Sequence, residues 1–346
     1  MLDVNRTLVY SGTLMQASRR TSSAHQKRLK QIGTGLVHLA WRQKYVIIAT
    51  ILFLIGLYVI VSKTSVTEPL PSYADDFFIA TIGQQVEKSN YNNKSISMFD
   101  PGLLEEMRKK WIVNRYNASL PYNLDNPEVI DPSMGQAAKI NEVFKNMTNG
   151  FFIECGAYDG ETRSNTLFFE RYLNWTGILI EADPINYHKL QQKNRKAYLS
   201  NTCLSTKKYP MLGTFLMADN IGRLHTELGT DEEGLENTPD VAHHGEHIKI
   251  QCLPLASYVA ALDFKRVDYF SLDIEGQELE VLETIPFDKI DIKTLSVEYI
   301  HGDNSLELMS SMMAKRGYDV IGLVTHKNNL ANDLIFAKKG FKESLH

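Results

Sequence analysis

The chain has few cysteines, no large excess of either charge and a single long apolar run. Cys155, Cys203 and Cys252 are its only cysteines, which excludes the disulfide framework that staples small secreted domains. Cys203 and Cys252 can pair if their strands are neighbours, and Cys155 reads as a small buried filler. The net charge of −4 excludes the strongly basic surface that a nucleic-acid partner requires. Internal repeats and low-complexity tracts are missing too. What is left is an ordinary globular composition, 43% apolar and 23% charged, in a chain of 346 residues that allows one or two domains.

Acid is almost missing from residues 1–44, where Asp3 stands against Arg6, Arg19, Arg20, Lys27, Arg28, Lys30, Arg42 and Lys44. This stretch reads as a basic, mostly disordered tail. The apolar run follows it: Tyr45–Ser62, YVIIATILFLIGLYVIVS, uncharged and flanked by Lys44 and Lys63. A helix needs about 17 to 25 apolar residues to cross a bilayer, and this run meets the short end of that range. A core helix rarely goes so long without a charge. A cleavable signal peptide fits poorly, because the tail before the run is long and no small-x-small site follows it. The run therefore predicts a transmembrane signal-anchor helix, with the lipid bilayer as a partner. The basic flank places the tail in the cytosol and the bulk of the chain in a lumen or outside the cell. Four sequons lie on that side: Asn93-Lys94-Ser95, Asn117-Ala118-Ser119, Asn146-Met147-Thr148 and Asn174-Trp175-Thr176. Asn174 directly precedes an expected buried strand, which predicts that it is hindered.

Residues 63–131 read as a lumenal stem, punctuated by prolines and asparagines, with one amphipathic helix over Gly102–Val113. Asp131-Pro132-Ser133 then opens a helix over Met134–Lys145. Residues 132–346 form the folded domain.

That domain is organised around Gly150–Glu161, GFFIECGAYDGE, and Gly177–Pro184, GILIEADP. Each is a short apolar run that ends in a carboxylate, the pattern of a buried strand bounded by a turn. Gly156 and Gly160 make the tight turn after the first strand, where the backbone can approach a ligand closely. Glu181, at the end of the second, can accept two hydrogen bonds from a ribose diol. Together they predict a nucleoside-binding βαβ unit. Beyond it, strands are expected at Tyr198–Cys203, Tyr269–Asp273 and Thr294–Glu298, with extended pieces at Gly213–Ala218 and Ile248–Leu253. Helices are expected at Ser164–Leu173, Asn186–Asn194, Leu255–Leu262, from Leu279, and at Ser305–Lys315. Tyr318–Leu323 and Asp333–Ala337 should close the domain as an antiparallel pair. The alternation predicts an α/β fold, a parallel sheet with helices on both faces. Asp219–Glu246 is unusually long and polar for a connection inside a compact domain. His243 and His244 within it, and His247 just after it, read as a solvated loop.

Ligands in such sheets bind outside the carboxyl ends of the strands. Glu154, Glu181, Asp273 and Glu298 fall at four of those ends. Asp273, Glu275 and Glu298 are also oxygen ligands of the kind a hard cation takes, but no dedicated loop accompanies them, and no metal is expected.

The segments ECGAYDG, IEADP, YFSLDIEGQELEVLE, LSVEYI and NDLIFAKK resemble the FkbM-type S-adenosylmethionine-dependent methyltransferase domain over roughly Pro132 to Lys339. The most specific part is LDIEGQELEVL, Leu272–Leu282. With the N-terminal anchor, ERYLNWTGILIEADPINY and DYFSLDIEGQELEVLETIPF resemble the Star-like subgroup of type II membrane proteins. The resemblance implies a Rossmann-like class I methyltransferase sheet with S-adenosylmethionine as its cofactor. By position, Glu154, Gly156 and Gly160 would shape the methionine end of the cofactor pocket. Glu181 would hold the ribose hydroxyls, and Asp183 would lie near the adenosine. Asp273 and Glu275 would sit by the transferred methyl or its acceptor, with Glu298 as a candidate base. Tyr158 replaces the middle glycine of the family's turn, where it would either stack on the ligand or fill the pocket.

Two functions are expected from this resemblance. In the first, a membrane-anchored trafficking factor escorts membrane-protein cargo such as growth-factor precursors between endoplasmic reticulum and Golgi, with the endosome or plasma membrane as further stations. In the second, a lumenal O-methyltransferase acts on a hydroxyl of a glycan, lipid or protein.

Overall fold

The computed structural model describes residues 87–114, 120–225, 246–300, 305–326 and 330–341. The expected anchor Tyr45–Ser62, the basic tail and the sequon at Asn117 lie outside them. Among the described residues no helix is long and apolar enough to cross a membrane.

The chain enters through α1 (Pro101–Lys110), which Asp100 caps by accepting from the N–H groups of Gly102 and Leu103. The helix stops short of the predicted Val113, because Val113 bridges instead to Leu199. Met98, Leu103, Met107 and Trp111 join the main core, so this part of the expected stem packs as structure. Helix α2 (Gln136–Phe144) starts one turn-residue beyond Gly135, whose φ of +115° no side-chain-bearing residue would take readily.

Then come β1 (Phe151–Cys155), α3 (Leu167–Leu173), β2 (Thr176–Ile180), α4 (Pro184–Gln192) and β3 (Tyr198–Ser200). Next are β4 (Cys203–Leu204), β5 (Met211–Met217), a 3₁₀ turn (Asp219–Ile221), β6 (Arg223–His225), β7 (Glu246–Leu253) and α5 (Leu255–Ala261). The chain closes with β8 (Arg266–Leu272), α6 (Glu278–Thr284), β9 (Asp291–Glu298), α7 (Ser305–Lys315), β10 (Tyr318–Thr325) and β11 (Asn332–Lys338).

Seven strands form the first sheet in the order β10-β11-β9-β8-β1-β2-β3. From β3 to β9 the neighbours are parallel, while β11 runs antiparallel to both β9 and β10. The fold is thus α/β with a mixed sheet. The antiparallel closing pair is as expected, and it inserts β11 beside β9. Every residue of β1 is buried, the mark of a central strand covered on both faces. Phe151, Ile153 and Cys155 face the core that carries α1, α5 and α6, while Phe152 faces α2 and α3.

The expected strand Tyr198–Cys203 divides in two. Asn201 Nδ2 donates to the carbonyls of Glu181 (2.9 Å) and Ala182 (3.2 Å), which turns the backbone out of the first sheet after Ser200. Beyond the turn, β4 belongs to a second sheet, ordered β4-β7-β5-β6, which the sequence reading did not foresee. The extended pieces at Gly213–Ala218 and Ile248–Leu253 are its strands β5 and β7, paired antiparallel from Met211 opposite Cys252 to Met217 opposite Glu246. Of the polar stretch Asp219–Glu246, residues 226–245, with His243 and His244, lie outside the described residues; His247 sits in β7. Cys203 and Cys252 are register partners in β4 and β7 and form a disulfide, with Cα atoms 4.4 Å apart.

Candidate functional site

The strand order reverses between β1 and β8, and open α/β sheets bind ligands at such a switch point. Here the carboxyl end of β1 is laced to its neighbours. Gly156 and Ala157 N–H both donate to the Ile180 carbonyl of β2 (3.1 and 3.3 Å), and Asp273 N–H donates to the Cys155 carbonyl (3.3 Å). Gly156 takes φ +76°, and a Cβ there would overlap the Asp273 carbonyl oxygen. Only glycine permits this approach of the β1 and β8 ends.

Glu181 follows β2 and is buried. Its N–H donates to the Ser200 carbonyl at 3.0 Å, which fixes its backbone. One carboxylate oxygen accepts from Tyr158 N–H at 2.7 Å and the other from Asp183 N–H at 2.8 Å. Each oxygen keeps a second lone pair for another donor. Burial pushes the Glu181 carboxyl up to about 8 against the pull of those two backbone bonds.

Around it opens a cleft with about 660 Å³ of empty space, its mouth included. One wall is polar and comes from the first sheet: Gly156, Tyr158, Glu181, Asp273 and Glu275. The other is apolar and comes from the second sheet: Leu204, Phe215 and Leu224. A flat apolar ring attached to a polyhydroxylated sugar matches such a pair of walls.

Tyr158 lines this cleft. It adopts φ +49°, in the left-handed backbone region that favours glycine. Its hydroxyl donates to Asp219 at 3.0 Å, and the Lys189 ammonium lies 5.6 Å from its ring centre. Burial and the Asp219 bond push its phenol up to about 12.

Asp273, Glu275 and Glu298 come together, their nearest oxygens within 4.8 Å of one another. Asp273 is held well above the usual carboxylate range, first by desolvation and then by the charges of Glu298 and Glu275. Such an oxygen-only set is able to take a hard cation. Glu275 has φ +60° in the Asp273–Gly276 turn.

Three of the sequence-predicted residues stand elsewhere. Glu154 points into the protein, accepting from Ser164 Oγ (3.0 Å), Asn165 N–H (2.7 Å) and the Thr166 hydroxyl. It therefore shapes the β1–α3 connection from behind. Gly160, at φ +79°, lies against Leu190 and Arg195. Asp183 is the N-cap of α4, accepting from Ile185 and Asn186 N–H, and it borders a shallower recess beside the main cleft. The sequence reading missed the whole apolar wall, together with Asn186, whose Nδ2 donates to the Asp219 carbonyl at 2.8 Å. The extended piece around Gly213–Ala218 was the available signal for that wall.

The fold is a Rossmann-like α/β domain with a cleft at the switch point of its first sheet. Residues 154–320, a little under half of the chain, match the family model described as methyltransferase FkbM domain. The chain thus carries a methyltransferase-like domain. Comparison with curated proteins gives no match. Among solved structures, the precorrin-6y C5,15-methyltransferase of Geobacter metallireducens is similar at 11% identity over 58% of this chain and 87% of its own, with a TM-score of 0.30. M. jannaschii TYW2, solved with AdoMet, gives 13%, 65%, 84% and 0.29 for the same measures. The METTL16 methyltransferase domain gives 11%, 78%, 92% and 0.34.

Proposed function

We propose that the domain binds S-adenosylmethionine and transfers its methyl group to a hydroxyl acceptor. The observation that carries this reading is Glu181: a buried carboxylate at the carboxyl end of β2, oriented by two backbone N–H groups and lining the cleft. In this reading its remaining lone pairs accept the ribose hydroxyls, while Leu204, Phe215 and Leu224 cover the adenine. S-adenosylmethionine supplies an activated methyl on sulfur. The chain then has to place an acceptor oxygen in line with that methyl and accept the proton it loses. Asp273 suits the second task, since burial and its acidic neighbours make its carboxylate a stronger base than an ordinary one. Titration of S-adenosylmethionine into the purified full-length protein tests the reading. Micromolar binding that Glu181→Ala weakens at least tenfold supports it, and no binding at millimolar ligand contradicts it.

The cellular setting is a second part of the proposal. The uncharged run Tyr45–Ser62 and its basic flank support a type II anchor of the Star-like kind, with the domain in the lumen of the endoplasmic reticulum or Golgi. The Cys203–Cys252 disulfide supports the same compartment, because such bonds persist where the environment is oxidising. The role in this setting is the escort of membrane-protein cargo such as growth-factor precursors. Rescue of cells lacking the protein separates the two activities. An escort function survives Glu181→Ala and is lost when the anchor is replaced; an enzymatic function is lost with Glu181→Ala.

A further inference from the structure

We propose that the domain carries N-linked glycans on Asn93 and Asn146 and that Asn174, though it stands in a sequon, stays bare. The inference rests on the lumenal placement proposed above. It is drawn from which atom of each asparagine the fold leaves open.

Glycan attachment uses the amide nitrogen. Asparagine Nδ2 attacks C1 of a lipid-pyrophosphate-linked oligosaccharide, the C1–O bond to the pyrophosphate breaks, and the amide loses one proton to the transferase. A folded domain tolerates the product only where Nδ2 reaches solvent and is not needed by the fold.

Asn93 meets that condition. It is exposed, and its Oδ1 accepts from both the N–H and the hydroxyl of Ser95, each at 2.9 Å. A backbone N–H can only donate, so the oxygen of Asn93 must face Ser95 and Nδ2 must face away. The sequon is thus closed into an Asx turn with its own hydroxyl against the asparagine.

Asn146 meets it by the same logic. It is exposed in the α2–β1 connection at φ +61°. Its N–H donates to Asn141 Oδ1 at 3.1 Å, which fixes the orientation of the Asn141 amide. Asn141 Nδ2 therefore donates to Asn146 Oδ1, at 2.8 Å, and the Asn146 nitrogen takes no part.

Asn174 differs in two ways. Its Nδ2 itself is engaged, donating to Asn149 Oδ1 at 2.5 Å. The middle residue of its sequon, Trp175, is buried, and its indole N–H donates to the Met147 carbonyl at 2.7 Å. That bond sets the two sequons side by side. Exposure alone would have counted Asn174 as open.

The placement also agrees with a working cleft. Asn146 and Asn174 lie in the connections that enter β1 and β2, at the amino ends of the parallel strands. The cleft lies outside the carboxyl ends. A glycan on Asn146 projects from the opposite pole and leaves the cleft mouth open.

The test is site mapping on the full chain made in cultured animal cells, with an added C-terminal peptide that contains an efficient acceptor sequon. Glycans are removed enzymatically in heavy-oxygen water, which marks each formerly modified asparagine, and peptides are read by mass spectrometry. The expected result is a mark on the added peptide, Asn93 and Asn146, with Asn174 marked in fewer than about a tenth of molecules; N93Q and N146Q each remove one glycan from the intact mass. A marked added peptide with unmarked Asn93 and Asn146 overturns the proposal and leaves the lumenal placement standing. Asn174 marked as fully as Asn146 overturns the assignment of the open nitrogen. An unmarked added peptide overturns the lumenal placement itself and the proposal with it.

Discussion

At the scale of single residues, the first sheet buries more acid than its packing requires. Asp333 stands opposite Glu298 in the β9–β11 ladder and is almost inaccessible. Its Oδ2 accepts from Gln136 Nε2 at 2.8 Å, while Oδ1 has no hydrogen-bond partner among the described residues. Burial, with the charge of Glu298 adding to it, pushes the Asp333 carboxyl up to about 7. The folded state therefore holds this proton more tightly than the unfolded chain, whose aspartate titrates near 4. The resulting stabilisation is complete below about pH 4 and is lost as pH rises through about 7. Asp333→Asn keeps the acceptor for Gln136 and removes the titration. The variant is expected to show a flatter fall in unfolding free energy, measured by urea titration, between pH 4 and 7.5, by an amount on the order of a few kcal/mol. Parallel curves for the two proteins would contradict this account of the Asp333 environment.

At the scale of elements, the site depends on how closely the β1 and β8 ends approach. Gly156→Ala places a methyl group on the Asp273 carbonyl at a left-handed φ of +76°. Gly317, which follows α7, has a similar φ of +86° but open space around the missing side chain. Both substitutions incur the backbone cost of about 1 kcal/mol, and only the first adds overlap with a fixed backbone atom. Urea unfolding is expected to give a loss of about 1 kcal/mol for Gly317→Ala and at least twice that for Gly156→Ala. Equal losses would mean that the β1–β8 approach is not tight. Much of this element layout was legible in the chain: FFIEC and GILIE gave β1 and β2, and Ser305–Lys315 gave α7 as found. The second sheet was not legible. Its strands bring together residues as far apart as Met211 and Cys252, and β4 is only the pair Cys203–Leu204, too short for any periodicity. The strand break at Asn201 arises from a side-chain bond to Glu181 and Ala182, which local pattern does not reveal.

At the scale of the whole molecule, two sheets share one cleft, and the sequence disclosed one half of it. The polar wall was readable in part because Glu181 and Asp273 directly follow strand ends. Glu154 was read by the same rule and proved to be a strut for Ser164, Asn165 and Thr166, because a strand's last side chains alternate between faces. Asp183 followed a strand end as well, but its carboxylate is spent on capping α4. The disulfide from β4 to β7 joins two strands of the sheet that supplies the apolar wall.

The central claim is that this cleft holds S-adenosylmethionine through Glu181, and calorimetric titration of the full-length protein tests it most directly. The account predicts micromolar binding that Glu181→Ala weakens by a factor of ten or more. Binding absent at millimolar ligand, or unchanged by the substitution, would contradict it.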